Sequence, residues 1–154
     1  MAPKVGSKPA DFSLPTTGGG TWRLKDALGG PLVIYFYPKD MTSGCTRESQ
    51  DFRDLHARFR KAGVHIVGVS RDSVASHEKF KSKEDLPFEL LSDADEKVCK
   101  AFDVIKEKTL YGRKYLGVER STFLLDSAGV LRREWRKVKV PGHAEEVLEA
   151  AKSL

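Results

Sequence analysis

The chain has 154 residues, 40% of them hydrophobic and 32% charged, which fits a single globular domain spanning residues 1–154. No apolar run approaches the roughly 18 residues that a membrane span needs, and the N-terminus has no secretory signal, so we expect a cytoplasmic protein without a membrane partner. The net charge of +5 comes from basic residues spread along the chain, which favours a solvated lysine-rich surface over a nucleic-acid interface.

Hydrophobic patterns bounded by Gly, Pro, Ser and Asp predict a series of short strands and helices. In chain order they are a strand at 11–14, a strand at 21–24, a helical turn at 25–28, a strand at 32–37, a helix at 44–62, a strand at 65–69, a helix from a cap at 72 or 73 to 83, a strand at 88–91, a helix at 97–104, a loop or ribbon at 105–117, a strand at 121–125, a strand at 130–138 and a helix at 144–152.

This order predicts an α/β fold. The first βαβαβ part forms right-handed parallel crossovers. The later hairpin is expected to add antiparallel strands at the sheet edge, giving a mixed central β-sheet with helices on both faces.

One of the two cysteines lies where a thiol is easily ionised. Cys45 follows the buried strand 32–37 and falls in the first turn of the long helix. The first amides of a helix have no intrahelical partners, and the helix N-terminus carries roughly half a positive charge, so both favour a thiolate. The alternative is a small buried hydrophobic residue. The polar, glycine-containing surroundings favour a reactive nucleophile.

Three neighbours of Cys45 are further candidates for the site. The Thr42 hydroxyl, three residues earlier, either caps the helix or faces the same cavity as the sulfur. Pro38 ends the strand, and the fixed φ of proline is enough to explain its presence there. Gly44 allows a ligand to approach the backbone closely.

These residues carry a resemblance to a known family. Pro38-x-x-x-Thr42-x-x-Cys45, within YFYPKDMTSGCTRE, resembles the active-site motif of the peroxiredoxins, specifically the bacterioferritin comigratory protein or peroxiredoxin Q subfamily. A distant segment, VERSTFLL at 118–125, resembles the family segment whose arginine enters the site, which makes Arg120 the fourth active-site residue. The similarity extends over nearly the whole chain.

The resemblance implies a thioredoxin-like fold and an enzyme that reduces hydrogen peroxide and organic hydroperoxides without metal, flavin or other cofactor. Cys45 would be the peroxidatic nucleophile and would leave the reaction as sulfenic acid. Arg120, the Thr42 hydroxyl and the backbone amides around Gly44 and Cys45 would stabilise the departing oxygen.

Two further residues have supporting roles by the same resemblance. Pro38 would shield the thiolate from water, and Glu48, one helical turn after Cys45, would orient the arginine. Because peroxiredoxin Q relatives are commonly monomeric, the resemblance also implies a monomer.

The chain departs from the family where a resolving cysteine is expected. Many relatives carry that thiol five residues after the peroxidatic one, where this chain has Gln50, and others carry it near residues 80–83, which read FKSK. Cys99 is the remaining candidate, but its apolar neighbours favour a buried structural residue. We therefore expect a one-cysteine cycle, in which glutathione, glutaredoxin or thioredoxin reduces the sulfenic acid.

Other functions are less well supported by the sequence. A disulfide oxidoreductase would need a second cysteine at position 48, which is Glu48. The four histidines show no metal-ligand spacing, so no metal site is expected. A basic, thioredoxin-like binding or chaperone module without enzymatic activity is the non-catalytic alternative.

Overall fold

A computed structural model describes residues 2–154 of the chain. Its strands are β1 (Ser13–Pro15), β2 (Thr21–Arg23), β3 (Leu32–Phe36), β4 (His65–Ser70), β5 (Glu89–Ser92), β6 (Ile105–Leu110), β7 (Arg113–Val118), β8 (Ser121–Leu125) and β9 (Leu131–Trp135). Its α-helices are α1 (Ser43–Lys61), α2 (Val74–Glu84), α3 (Lys97–Ala101) and α4 (His143–Lys152), with one 3-10 turn at Leu24–Ala27. None of these helices is both long and apolar enough to cross a membrane.

The central sheet has the strand order β5-β4-β3-β8-β9. β3 pairs with β4, and β4 with β5, in parallel, whereas β8 and β9 run antiparallel. The predicted mixed sheet is therefore confirmed. The prediction that both hairpin strands lie at the edge is wrong, because β8 pairs with β3 as well as β9, and of the two hairpin strands β9 alone lies at an edge. Every residue of β8 is buried, as expected for an interior strand of a sheet that is covered on both faces.

Side chains from the two faces of β3 enter two separate cores, because alternate residues of a strand point to opposite faces. Val33 and Tyr35 pack against residues of α1, α2 and α4. Leu32 and Ile34 pack against residues of α3, β1 and the 3-10 turn. The predicted helices on both faces are confirmed, with the longest of them on the first face.

Several element boundaries differ from the predictions. The segment 105–117 forms a two-stranded antiparallel ribbon of β6 and β7, which resolves the choice between loop and ribbon. Helix α3 ends at Ala101, short of the predicted residue 104, since Asp103 has a left-handed φ of 55°. The predicted strand 130–138 is shorter at both ends, and β9 spans Leu131–Trp135.

Candidate active site

The first turn of α1 holds Cys45 just beyond the carboxyl end of β3. Cys45 is the third residue of the helix, after the loop of residues 37–42. The Thr46 amide donates to the Thr42 carbonyl at 2.8 Å, so the amides of residues 43–45 precede the helical hydrogen-bond ladder. Cys45 is only 1% exposed. A thiol this deeply buried needs compensating charge or donors in order to ionise.

Arg120 supplies that charge from the short connection between β7 and β8. Its Nη2 donates to Cys45 Sγ at 3.4 Å, across a separation of 75 residues, and its Nη1 donates to Oε1 of Glu48 at 2.7 Å. Burial opposes the charge of Arg120, but Glu48 and the Cys45 sulfur outweigh it and raise the pKa of Arg120. The guanidinium therefore stays charged while it contacts the sulfur.

Gly44 leaves the space that this guanidinium occupies. A Cβ placed on Gly44 would lie 3.1 Å from Nη2 of Arg120, which is tighter than ordinary van der Waals contact. The close approach to the Gly44 backbone that the sequence predicts for a ligand is thus made here by Arg120.

Glu48 is the third ionisable group of this site. It lies one turn after Cys45 on α1, is 1% exposed, and its Oε2 has no hydrogen-bond partner in residues 2–154. Burial raises the pKa of Glu48 to about 7, although Arg120 acts in the opposite direction. One guanidinium faces two buried acids and balances only one negative charge. Ionisation of the Cys45 thiol therefore favours a proton on Glu48.

We expect Glu48→Gln to reduce the pH dependence of stability. The folded pKa of Glu48, about 7, lies above its ordinary value of 4.5, so its favourable contribution is complete below pH 4.5 and is lost as the pH rises through about 7. A shift of this size corresponds to roughly 3 kcal/mol. Urea unfolding of both proteins at several pH values measures this effect. The free energy of unfolding of the variant minus that of wild type should increase by roughly this amount between acidic pH and pH 8. If the difference in unfolding free energy between the two proteins does not change with pH, the raised pKa of Glu48 is contradicted.

Thr42 occupies the N-cap position of α1, yet its hydroxyl makes no capping hydrogen bond. The hydroxyl instead donates to the Lys39 carbonyl at 2.8 Å, which leaves its oxygen able to accept a hydrogen bond. Thr42 is exposed and Pro38 is half-buried. The two residues therefore belong to the solvent-facing loop that precedes the buried sulfur.

Cys99 lies on the opposite face of the central sheet from Cys45. Cys45 packs in the core that contains Tyr35, and Cys99 packs in the core that contains Ile34. Because a disulfide needs Cα atoms within about 7 Å, a bond between thiols that pack on opposite faces of the sheet would require the fold to open locally. Burial, together with Asp93, raises the pKa of Cys99. Cys99 is fully buried and is not brought to the site.

Lys108 is a second cationic side chain near the sulfur, and the sequence did not indicate it. Its Nζ donates to the Val118 carbonyl at 2.6 Å, two residues before Arg120. Burial and the charge of Arg120 lower the pKa of Lys108, while the Cys45 sulfur acts in the opposite direction. The lysines at 106, 108 and 114 resemble those of any exposed ribbon, so no local signal distinguished this one.

The sequence also did not indicate a cluster formed by Asp40, Asp72 and His77. One ligand-type atom from each lies within 4.8 Å of the others. His77 Nδ1 already contacts Asp40 Oδ2 at 2.7 Å, and the Ser70 hydroxyl donates to Asp72 Oδ2 at 2.5 Å. These contacts favour a hydrogen-bonded cluster over a metal site.

The arrangement suits a nucleophilic thiol whose negative charge is balanced by a fixed donor. Arg120 and the free amides at the start of α1 can stabilise an anion on sulfur and on a group leaving beside it. Exchange between two thiols at this site would need a second cysteine on the same face. Position 48, where a CxxC motif would place it, is Glu48, which is bound to Arg120.

Known proteins share both the sequence and the fold. Residues 5–134 match the AhpC/TSA family. The chain is 55% identical over 143 residues to Peroxiredoxin Bcp of Xanthomonas campestris pv. campestris, covering 93% of this chain and 89% of that protein. It is 49% identical over 154 residues to Peroxiredoxin Bcp of Bacillus subtilis, covering 100% of this chain and 98% of that protein. A solved structure of the Xanthomonas campestris bacterioferritin comigratory protein has a TM-score of 0.88 to this chain at 54% identity. The match covers 92% of this chain and 90% of that chain. That structure is described as a trapped intermediate/ligand complex that gives insight into alkyl peroxide reduction.

Proposed function

Because the chain belongs to the AhpC/TSA family, in its Bcp or peroxiredoxin Q subfamily, and is a thiol-dependent peroxidase with a thioredoxin-like fold, we propose that Cys45 is its peroxidatic nucleophile. The Cys45 thiolate attacks one peroxide oxygen in line with the O–O bond. A sulfur–oxygen bond forms, the O–O bond breaks, and the departing hydroxide or alkoxide takes up a proton to become water or an alcohol. Cys45 is oxidised to sulfenic acid, and the peroxide is reduced by two electrons.

The observation that carries this proposal is the 3.4 Å contact between Arg120 Nη2 and the buried Cys45 Sγ. Negative charge lies on sulfur before the attack and on the departing oxygen after it. A fixed guanidinium beside the sulfur can stabilise both, and its effect is larger where water is excluded. The unpaired amides around Gly44 add further donors, and Pro38 shields the thiolate from water. The Thr42 hydroxyl donates its hydrogen to the Lys39 carbonyl, so its oxygen can accept a hydrogen bond from the peroxide rather than donate one.

Both hydrogen peroxide and alkyl hydroperoxides are proposed substrates. The solved Xanthomonas relative is described in connection with alkyl peroxide reduction. Met41, which is 44% exposed and precedes Thr42, offers an adaptable apolar contact for an alkyl group.

The proposed cycle uses one cysteine and an external thiol. Cys99 lies across the sheet from Cys45. Gln50 stands at a position where many relatives carry a resolving cysteine. Its side chain donates to Glu84 Oε1 at 2.8 Å and so joins α1 to α2. Thioredoxin, glutaredoxin or glutathione then attacks the sulfenic acid, releases water and forms a mixed disulfide, which a second thiol reduces.

The proposed working form is a monomer in the cytoplasm. Cys45, Arg120 and Glu48 all come from one chain, so the site needs no second copy. Both cysteines are free thiols, and the cytoplasm maintains the thiol reductants that the cycle consumes.

Stopped-flow mixing of the reduced protein with hydrogen peroxide tests the proposed function. We expect loss of one thiol per chain at a rate far above that of free cysteine, which is only a few per cent thiolate at neutral pH. Reaction at the rate of free cysteine would reject the peroxidase assignment for Cys45.

Mass spectrometry after one equivalent of peroxide tests the recycling step. We expect sulfenic acid on Cys45, a mixed disulfide after glutathione is added, and an unmodified thiol on Cys99. Cys99→Ser should therefore turn over at the wild-type rate with an external thiol. An intramolecular disulfide between Cys45 and Cys99 would contradict the one-cysteine cycle.

A further inference from the structure

A buried polar cluster, separate from the contacts of Arg120, holds the loop that leads to Cys45. Asp40 lies in this loop of residues 37–42 and is 5% exposed. Its Oδ1 accepts from Tyr37 Oη at 2.6 Å, and its Oδ2 accepts from Ser76 Oγ at 2.8 Å and contacts His77 Nδ1 at 2.7 Å. Because Ser76 and His77 belong to α2, Asp40 joins the loop to that helix.

The Asp40–His77 contact requires a shared proton. His77 is fully buried, and its Nε2 lies 2.9 Å from the Leu91 carbonyl oxygen. A carbonyl oxygen only accepts, so Nε2 carries a hydrogen. The 2.7 Å contact between Nδ1 and Asp40 Oδ2 then needs a second hydrogen, held either by an imidazolium or by a carboxylic acid.

Further hydrogen bonds hold the Asp40 side chain in place. The hydroxyls of Tyr37 and Ser76 both donate to the Asp40 carboxyl group. The other titratable groups facing the pair are Tyr37, which follows β3, and Asp72, in the loop after β4. The group of β5 that faces the His77 ring is the Leu91 carbonyl.

The loop needs an anchor because its next residue is strained. Met41 has a left-handed φ of 64°, which costs a residue with a side chain about 1–2 kcal/mol. The Asp40 backbone amide donates to Asp72 Oδ2 at 2.9 Å, so Asp40 is held through both its side chain and its backbone. Such strain persists only where the surroundings enforce it. Thr42 and the first turn of α1 follow directly.

We propose that the proton shared by Asp40 and His77 is a latch that holds residues 37–42, and through them Thr42 and the Cys45 turn, in the arrangement that reacts with peroxide. The two residues are positioning residues, and neither is hydrogen-bonded to Cys45 or Arg120. Without the shared proton, two acceptors would face each other across 2.7 Å and would separate, releasing the loop. This inference rests on the proposed role of Cys45 and adds how its reactive arrangement is maintained.

Three matched variants test the latch. His77→Leu removes both ring nitrogens and with them the shared proton, and should lower the second-order rate constant with hydrogen peroxide by about 10- to 100-fold, the effect of misplaced reacting groups. Asp40→Asn places an amide N–H opposite Nδ1 of a neutral His77, and because this contact needs no shared proton the variant should retain most of the wild-type rate. Ser73→Ala removes the N-cap bond to the Ser76 amide and weakens the same helix by about 1 kcal/mol, but should react at the wild-type rate.

Amide hydrogen exchange of residues 39–45 provides a readout that needs no peroxide. Exchange should accelerate in His77→Leu and stay near wild type in Asp40→Asn and Ser73→Ala. The latch is overturned if folded His77→Leu reacts and exchanges like wild type, if Asp40→Asn is as slow as His77→Leu, or if Ser73→Ala is equally slow. If the wild-type protein shows no Cys45-dependent reaction with peroxide, the proposed function fails, while the exchange pattern still decides the latch.

Discussion

Cys45→Ser is expected to abolish the reaction with peroxide, leaving only the uncatalysed rate. In the proposed mechanism the attacking species is a thiolate, and the first-turn amides of α1 and the Arg120 guanidinium lie beside the sulfur. A serine hydroxyl at the same place stays protonated at neutral pH, since its unperturbed acidity is far weaker and, within residues 2–154, the side-chain hydrogen bond at position 45 comes from the cation Arg120, which is not a base. Stopped-flow tryptophan fluorescence and peroxide consumption both measure the loss.

Cys99→Ser is the matched control, because it makes the same atom change in the other core. It should keep the wild-type rate with peroxide, and circular dichroism of both variants should report an intact fold. Fast peroxide consumption retained in Cys45→Ser and lost in Cys99→Ser would reverse the assignment of the two thiols.

The sequence predicted the elements that depend on local pattern. The continuous apolar run of β3 and the periodic Phe52, Leu55 and Phe59 of α1 are local signals, and Gly63 ends the helix with a left-handed φ of 76°. The neighbour of a strand is not a local property, which is why β8 was expected at the edge. The β6–β7 ribbon is exposed along most of its length, so it has no buried face to create an alternating pattern.

The same distinction applies to the candidate site. Cys45 was identified from its place at a helix N-terminus, which adjacent residues define. Arg120 was identified by resemblance alone, since nothing around it separates it from surface arginines. The contact between Asp40 and His77 spans 37 residues, and each residue read by itself fits a polar loop or a helix. The face of the sheet on which Cys99 packs is likewise set by tertiary contacts.

Arg120→Ala is expected to slow the reaction with peroxide by about 10²- to 10³-fold, the range for loss of one preorganised donor to a developing anion. The variant loses the contact of Nη2 with Sγ, so both the Cys45 thiolate and the departing oxygen lose their cation. Arg120→Lys should be intermediate, because an ammonium keeps the charge but lacks the fork that contacts Cys45 and Glu48 together. Single-turnover stopped-flow across a peroxide series gives the rate constants.

Stability separates this catalytic effect from a structural one. Arg120 is the group that lowers the pKa of Glu48 against the effect of burial, so its removal leaves a buried carboxyl group whose pKa rises further. Arg120→Ala should therefore lose most stability above pH 7, where the wild-type carboxylate is charged. In the double variant with Glu48→Gln the stranded carboxylate is absent, so the free energy of unfolding should recover while the peroxide rate stays low. A rate that recovered together with stability would mean that Arg120 contributes through folding alone.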